Sequence, residues 1–284
     1  FIFLNEKIDF KNDEDICWDN KNYTVLFNFN FNYFNFLNTF KTDYKIRKDI
    51  SSIEKGLKLI DNWILNSKSY NNIMWAPYTI SLRLINWLDF IIFVKSLEVY
   101  ENFDFDEIKQ SIYKQYIYLS RNLETDIRGN HLFENLKTLI LCDLVFDRKK
   151  SFKKHVSLLL KQLDEQILDD GCHFEKSISY HIIVFEGLLR IVEWFKVFEV
   201  PDNKGIIKIK DKLGKMYSFY NYIGANKKRY PLLNDSNYTM TNHIKNINER
   251  YSKLELSKSK YNMSNDSGYI VFNKNDIRMT IDVG

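Results

Sequence analysis

Proline and glycine are scarce in this 284-residue sequence, at 3 and 9 copies. Long stretches therefore run without the residues that break helices or shape tight turns, which argues against a chain of many short strands. Cysteine is nearly absent as well. Cys17, Cys142 and Cys172 are odd in number, widely spaced and form no CxxC pair, so neither a disulfide framework nor a thiolate zinc site is supported. No segment approaches 18 uninterrupted apolar residues, which speaks against a membrane span. Charge of one sign is not concentrated anywhere: 41 Lys and Arg are interspersed with 37 Asp and Glu for a net +4. A nucleic-acid partner would call for a basic face with a matching motif, and neither is found. The chain opens on Phe1 without a basic n-region, an apolar core segment or a small-residue cleavage site, and so reads as a fragment or a processed form.

What is present is apolar and aromatic: 45% of residues are apolar and 16% are Phe, Trp or Tyr, a composition that folds around a core. At this length one large domain, or one domain and part of another, is expected. The enrichment in Asn, Lys, Ile and Phe runs through helical and loop segments alike and reflects base composition. The run Leu26-Phe27-Asn28-Phe29-Asn30-Phe31-Asn32-Tyr33-Phe34 fits a strand or an aromatic-rich helix equally well. From Ser51 the pattern is helical. Ser51 or Ser52 can cap a helix carrying Ile53, Leu57, Ile60, Trp63 and Ile64 at helical spacing. Pro77 precedes a second run through Leu82, Ile85, Leu88 and Ile92, and further helices are predicted at about 106–123, 131–147, 151–168, 178–199 and 204–222. Short polar connections imply hairpins laid side by side. Near the end the period changes to two. Tyr269 to Phe272 and Ile277 to Val283 read as strands about an Asn273-Lys274-Asn275-Asp276 turn, with Ile277, Met279, Ile281 and Val283 forming the buried face. A lone hairpin is marginal in water, so its sheet is expected to be completed by chain outside this sequence.

Two segments concentrate proton-handling groups. Gly129-Asn130-His131-Leu132-Phe133-Glu134-Asn135 is followed about fifty residues later by Asp170-Gly171-Cys172-His173-Phe174-Glu175-Lys176-Ser177-Ile178-Ser179-Tyr180-His181, and together they hold three of the five histidines. Each has a plainer reading. Asn130 would serve as a helix N-cap with Glu134 near a capping-box position. Tyr180 is one of 18 tyrosines, and His181 beside it would pack on the opposite side of its helix. His173 and Glu175 alternate about Phe174, as a metal pair or substrate contact would, yet a solvated loop explains them too and no third ligand stands at a known spacing. Asp169-Asp170-Gly171 reads as a turn. Trp63, Trp75 and Trp87 suit sugar stacking, but Trp63 and Trp87 fall on apolar helical faces. Asn234-Asp235-Ser236 precedes no clear helix and fits a cleft-lining loop.

In order and spacing, Tyr78-Thr79-Ile80-Ser81-Leu82-Arg83-Leu84-Ile85-Asn86-Trp87, the two segments above, Leu233-Asn234-Asp235-Ser236 and the closing Asp282-Val283-Gly284 resemble the heparinase II/III-like polysaccharide lyases. Cys172 and Ile178 depart from the family pattern, which has Gly and Pro there. The resemblance implies a mainly α fold, with an N-terminal segment plus an (α/α) toroid built of helical hairpins over residues 1–250, and residues 251–284 opening an antiparallel β-sandwich. It also implies β-elimination on an acidic, uronate-bearing polysaccharide, with no cofactor, no metal, no nucleic-acid partner and no membrane span, in a periplasmic or secreted setting. Asn130 and His131 would neutralise the uronate carboxylate, as oxyanion-hole donors do. Tyr180 would carry the proton, as base when ionised and as acid once protonated. Arg83, His173, Glu175, His181 and Asn234 would contact substrate. A further catalytic His is expected in the β-sandwich past Gly284, and His243 does not match its context. Asn130, His131 and Tyr180 are expected to converge on one cleft.

Three alternatives stand beside the lyase. A uronyl C5-epimerase shares the proton abstraction. A hydrolase would need two carboxylates about 5 to 9.5 Å apart, and Glu134, Asp170 and Glu175 are available without being singled out. A non-catalytic glycan-binding or assembly protein of a polysaccharide locus would keep the toroid alone.

Overall fold

A computed structural model describes residues 2–3, 6–7, 16–67, 70, 73–101, 103–127, 129–225, 230–241, 244, 246–256, 266–274 and 277–284. His243 and the turn residues Asn275 and Asp276 lie outside these. The chain divides into two compact units, Phe1–Asp126 and Ile127–Gly284.

In the first unit the Asn/Phe run resolves as a helix, α1 (Val25–Asn32), capped by the Thr24 hydroxyl. The asparagines that make it ambiguous are what hold it. Asn32 is fully buried, donates to the Trp18 carbonyl and accepts from the Trp63 indole at 2.9 Å. α2 (Leu37–Arg47), α3 (Ser51–Asn66), α4 (Pro77–Lys95) and α5 (Asp106–Arg121) follow, with α2 against α3 and α4, and α5 against α3 and α4. Ser51 lies inside α3; the chain enters through Ile50, and Asp49 accepts the Ser51 amide. Pro77 is the first residue of α4, where its missing N–H costs nothing. α4 is long and apolar enough to cross a membrane by length and composition, but 67% of that stretch is buried within the protein. Trp63, Trp75 and Trp87 are core residues, each at most 2% exposed.

The second unit is built on α6 (Gly129–Val145), α7 (Lys149–Gln166), α8 (Ile178–Val197) and α9 (Lys204–Tyr222), with α6 packed on α7 and α8, and α9 on α7 and α8. A three-residue link makes α6 and α7 an antiparallel hairpin, closed by a buried 2.6 Å contact between Asp143 Oδ2 and His155 Nδ1. Two short helices, α10 (Tyr238–Thr241) and α11 (Ile247–Ser252), lead to the strands β3 (Tyr269–Lys274) and β4 (Ile277–Asp282); β1 (Ile2–Phe3) and β2 (Glu6–Lys7) form a two-residue antiparallel ladder in the first unit.

β3 and β4 pair antiparallel from Tyr269↔Asp282 to Lys274↔Ile277. Their orientation corrects the expected one. Ile277 and Met279 are exposed at 74% and 50%, whereas Arg278 turns inward, its guanidinium donating to the Tyr222 carbonyl at the end of α9. The helical unit offers carbonyl acceptors at that position, so the charged face of β4 meets it and the apolar face is left open. Tyr222 completes the joint: its hydroxyl accepts from the Val271 amide and donates to the Tyr269 carbonyl.

Candidate active site

Asn130 and His131 lie within the first turn of α6, which begins at Gly129 in a left-handed conformation (φ 52°). Asn130 is therefore inside the helix rather than its cap. Glu134 is no capping-box partner either: it is 3% exposed and ion-paired to Lys137 at 2.6 Å. Tyr180 occupies the corresponding place on α8, whose N-cap Ser177 accepts the Tyr180 amide. The start of α8 is satisfied from a distance, because the Ser236 hydroxyl accepts the Ile178 and Ser179 amides at 2.8 and 3.3 Å. This gives the Asn234-Asp235-Ser236 loop a structural task that its sequence did not announce.

The connection between the two segments is Gln166, the last residue of α7. Its side-chain amide donates to the Gly129 carbonyl at 3.1 Å, its Oε1 faces His173 Nε2 at 3.4 Å, and its backbone carbonyl accepts the Phe174 amide. A Cβ placed on Gly129 would sit 3.3 Å from Glu175 Oε1. The loop before α8 thus lies against the start of α6, so α6 and α8 begin at the same end and run parallel. Gln166 was missed in the sequence. Its signal is positional: Val156, Leu159 and Leu163 lead by helical steps to a buried glutamine where another leucine would be expected.

Asn130, His131 and Tyr180 are all partly exposed. Among the described residues the Asn130 amide and the Tyr180 hydroxyl have no hydrogen-bond partner in the protein, leaving both polar ends available to a ligand. Glu175 is exposed, and burial of its surroundings, with Asp235 nearby, raises its carboxyl above the ordinary value.

Three expected substrate contacts are placed elsewhere. His173 is fully buried and bridged to Ile167, facing inward while Glu175 faces out, so the two do not share a side. His181 is fully buried too, with Nε2 3.2 Å from the Met216 carbonyl and its ring against Phe219. Burial lowers both, His173 to about 4 and His181 to about 3, the latter helped by His173. Arg83 belongs to the first unit and is likewise enclosed. It donates to Gln115 Oε1 at 2.7 Å and to the Met74 and Asn32 carbonyls, and lies 3.9 Å from the Trp63 ring. Burial holds its guanidinium well below the ordinary value. These side chains are held by packing and internal polar contacts, and in this structure they present no surface to a polymer. Asn234 is exposed, but its amide is spent on the Lys176 carbonyl and the Tyr269 hydroxyl. Among the described residues no group of three His, Cys, Asp or Glu side chains is placed to hold a metal ion.

The model of the family described as Heparinase II/III N-terminus matches residues 2–261. Solved structures share the fold. A heparinase III aligns with a TM-score of 0.65 at 16% identity, covering 86% of this chain and 40% of that one. A heparan sulfate lyase from Pedobacter heparinus gives 0.61 at 16%, covering 78% and 36%, and another heparinase III gives 0.62 at 17%, covering 85% and 42%. The chain spans about two fifths of the length of these proteins. A comparison with curated proteins returns no match. The fold class is that of the (α/α) toroid, a mainly α array of helical hairpins followed by an antiparallel pair of strands. With the family model running over nearly all of its residues, the chain belongs to the heparinase II/III family and corresponds to its N-terminal domain.

Proposed function

We propose that this chain is the N-terminal part of a polysaccharide lyase that cleaves a uronate-bearing polysaccharide by β-elimination. The observation that carries the reading is the pairing of two helix starts, α6 and α8, at one end of the second unit, with the Asn130 amide and the Tyr180 hydroxyl both accessible and uncommitted. In this mechanism Asn130, with His131, donates hydrogen bonds to the substrate carboxylate, whose charge grows as C5 loses its proton. Tyr180 takes that proton as phenolate and returns one to the departing glycosidic oxygen. A catalytic His from a β-sandwich domain would complete the set. The exposed apolar residues Phe272, Ile277, Met279 and Val283 support a sheet that continues from this hairpin, with residues 251–284 as its opening. A periplasmic or secreted setting, taken from the family resemblance, belongs to the same reading.

Offered acidic polysaccharides, the full-length protein should release products carrying the ultraviolet absorbance of an unsaturated uronate. Tyr180→Phe should reduce the rate by roughly a hundred- to ten-thousand-fold. Asn130→Ala should cost about 2.7 to 4 kcal/mol in the barrier. New reducing ends without the unsaturated group would indicate hydrolysis, and exchange of the C5 proton with solvent without chain shortening would indicate epimerisation. Full activity in Tyr180→Phe would remove Tyr180 from its role.

A further inference from the structure

The first unit carries a second feature suited to a glycan. Along α5, Lys114, Tyr118 and Arg121 recur at helical steps and line one side of a surface hollow of about 400 Å³, closed on the other by Tyr70. Tyr70 is 58% exposed and stacks on Tyr118, with ring centres 5.2 Å apart and planes 14° apart. It also leans on the buried Trp75 at 4.5 Å. Lys114 Nζ lies 5.3 Å from both the Tyr70 and the Trp75 rings. A second hollow of about 550 Å³ continues past Lys114 toward Gln110 and Glu107. Lys114 lines both, so the two hollows adjoin at this side chain and together make a trough whose lining spans some 15 residues of α5, roughly 22 Å at the helical rise.

We propose that this trough, in the first unit, is a binding site for an acidic oligosaccharide; the residues assigned to catalysis belong to the other unit. Among the described residues neither Lys114 nor Arg121 has a carboxylate partner. Two exposed cations beside an aromatic platform are thus left for an anionic group on a ligand. Because Tyr70 and Tyr118 already stack on each other, no slot remains between them for a planar base. What they offer is an outer face and edges, which suit the C–H face of a pyranose, while Gln110 and the free oxygen of Asn122 can meet hydroxyl groups. Glu107 makes the far end repulsive to anions, so the carboxylate sits by Lys114 and Arg121. The choice of a glycan as occupant rests on the lyase reading above.

The test is calorimetric titration of the protein with a size-defined glucuronate-containing oligosaccharide, a neutral dextran oligosaccharide of equal length, and an oligouridylate. The uronate oligosaccharide should bind, weaken with added salt, and lose about tenfold or more in affinity in Tyr70→Ala and in the double variant Lys114→Glu/Arg121→Glu. The melting temperature of the double variant should match the parent, since both cations are on the surface, and Tyr70→Ala should remain folded with only the loss of its packing on Tyr118 and Trp75. Binding to the trough should persist in Tyr180→Phe. Unchanged affinity in both trough variants, equal binding of dextran, or preference for oligouridylate would overturn the proposal. Formation of unsaturated product together with unchanged oligosaccharide affinity in the trough variants would sink the trough and leave the lyase reading intact. Trough binding without product on any uronate polymer would do the reverse.

Discussion

Gly171→Ala tests how tightly the loop before α8 is clamped. Gly171 has φ +87°, and a Cβ added there would lie 2.3 Å from the Lys215 carbonyl oxygen and 2.5 Å from its carbon. The left-handed conformation alone costs an L-residue about 1 to 2 kcal/mol. The contact adds more, because Lys215 is in the middle of α9 and its carbonyl is backbone that cannot rotate away. Reaching ordinary contact distance requires a loop displacement of roughly 1 Å, and overpacking of this kind costs about 1 to 3 kcal/mol. The sum, about 2 to 5 kcal/mol, corresponds to a fall of about 4 to 20 °C in melting temperature at roughly 2 to 4 °C per kcal/mol. Thermal unfolding followed by circular dichroism reads this directly. Gly205→Ala is the internal control. Gly205 opens α9 without a positive φ, and its nearest neighbours are the side-chain ends Asn203 Oδ1 and Leu160 Cδ1 at 3.3 Å. The gain in helix propensity, about 1 kcal/mol, offsets that crowding, and the midpoint should move little. Equal melting temperatures for the two variants would refute the clamp.

Asp170, 2% exposed, accepts from the Cys172 amide at 3.0 Å and the Ser267 amide at 2.9 Å; Asp170→Ala strands both donors and should destabilise by about 3 kcal/mol or more in urea unfolding, an idea abandoned if the urea midpoint is unaltered. The buried histidines set a pH dependence. Both are depressed in the folded state from an ordinary 6.5, so below that value the unfolded chain binds more protons. Their stabilising contribution is complete above about 6.5 and is lost as pH falls toward about 4 for His173 and about 3 for His181. At a pH 1.5 units below the reference each should have surrendered up to about 2 kcal/mol. Melting profiles across that range should flatten in His181→Phe, and an unchanged slope would count against the assignment.

The helices were readable because apolar residues recur at helical spacing with few breakers between them: the predicted 106–123 and 204–222 differ from Asp106–Arg121 and Lys204–Tyr222 by two residues at most. The Asn/Phe run was not readable, since its choice depends on Asn32 meeting Trp18 and Trp63, contacts remote in sequence. The face of β4 misled for a related reason. Alternation shows that two faces differ, but which one turns inward was decided by Arg278 finding the Tyr222 carbonyl. At the candidate site, Asn130, His131 and Tyr180 stood out by residue type and position. Burial separated them from His173, His181 and Arg83, whose identical polar chemistry gives no hint in the sequence of which partner, protein or ligand, it serves.

The β3–β4 hairpin is a zipper fastened at one end. Tyr269, 4% exposed, anchors its base by donating to the Lys176 carbonyl, and Asp170 holds the adjacent Ser267, while Ile277 at the tip is 74% exposed. Amide deuteration should therefore advance from the tip, with the Lys274↔Ile277 pair exchanging first and the Tyr269↔Asp282 pair last. Opening that base would remove one of the two bonds to the Lys176 carbonyl and one of the two amides held by Asp170, so the base of the hairpin and the loop that leads to Tyr180 share part of their support. A force or a partner acting on the strands is thereby felt at the loop that leads to Tyr180.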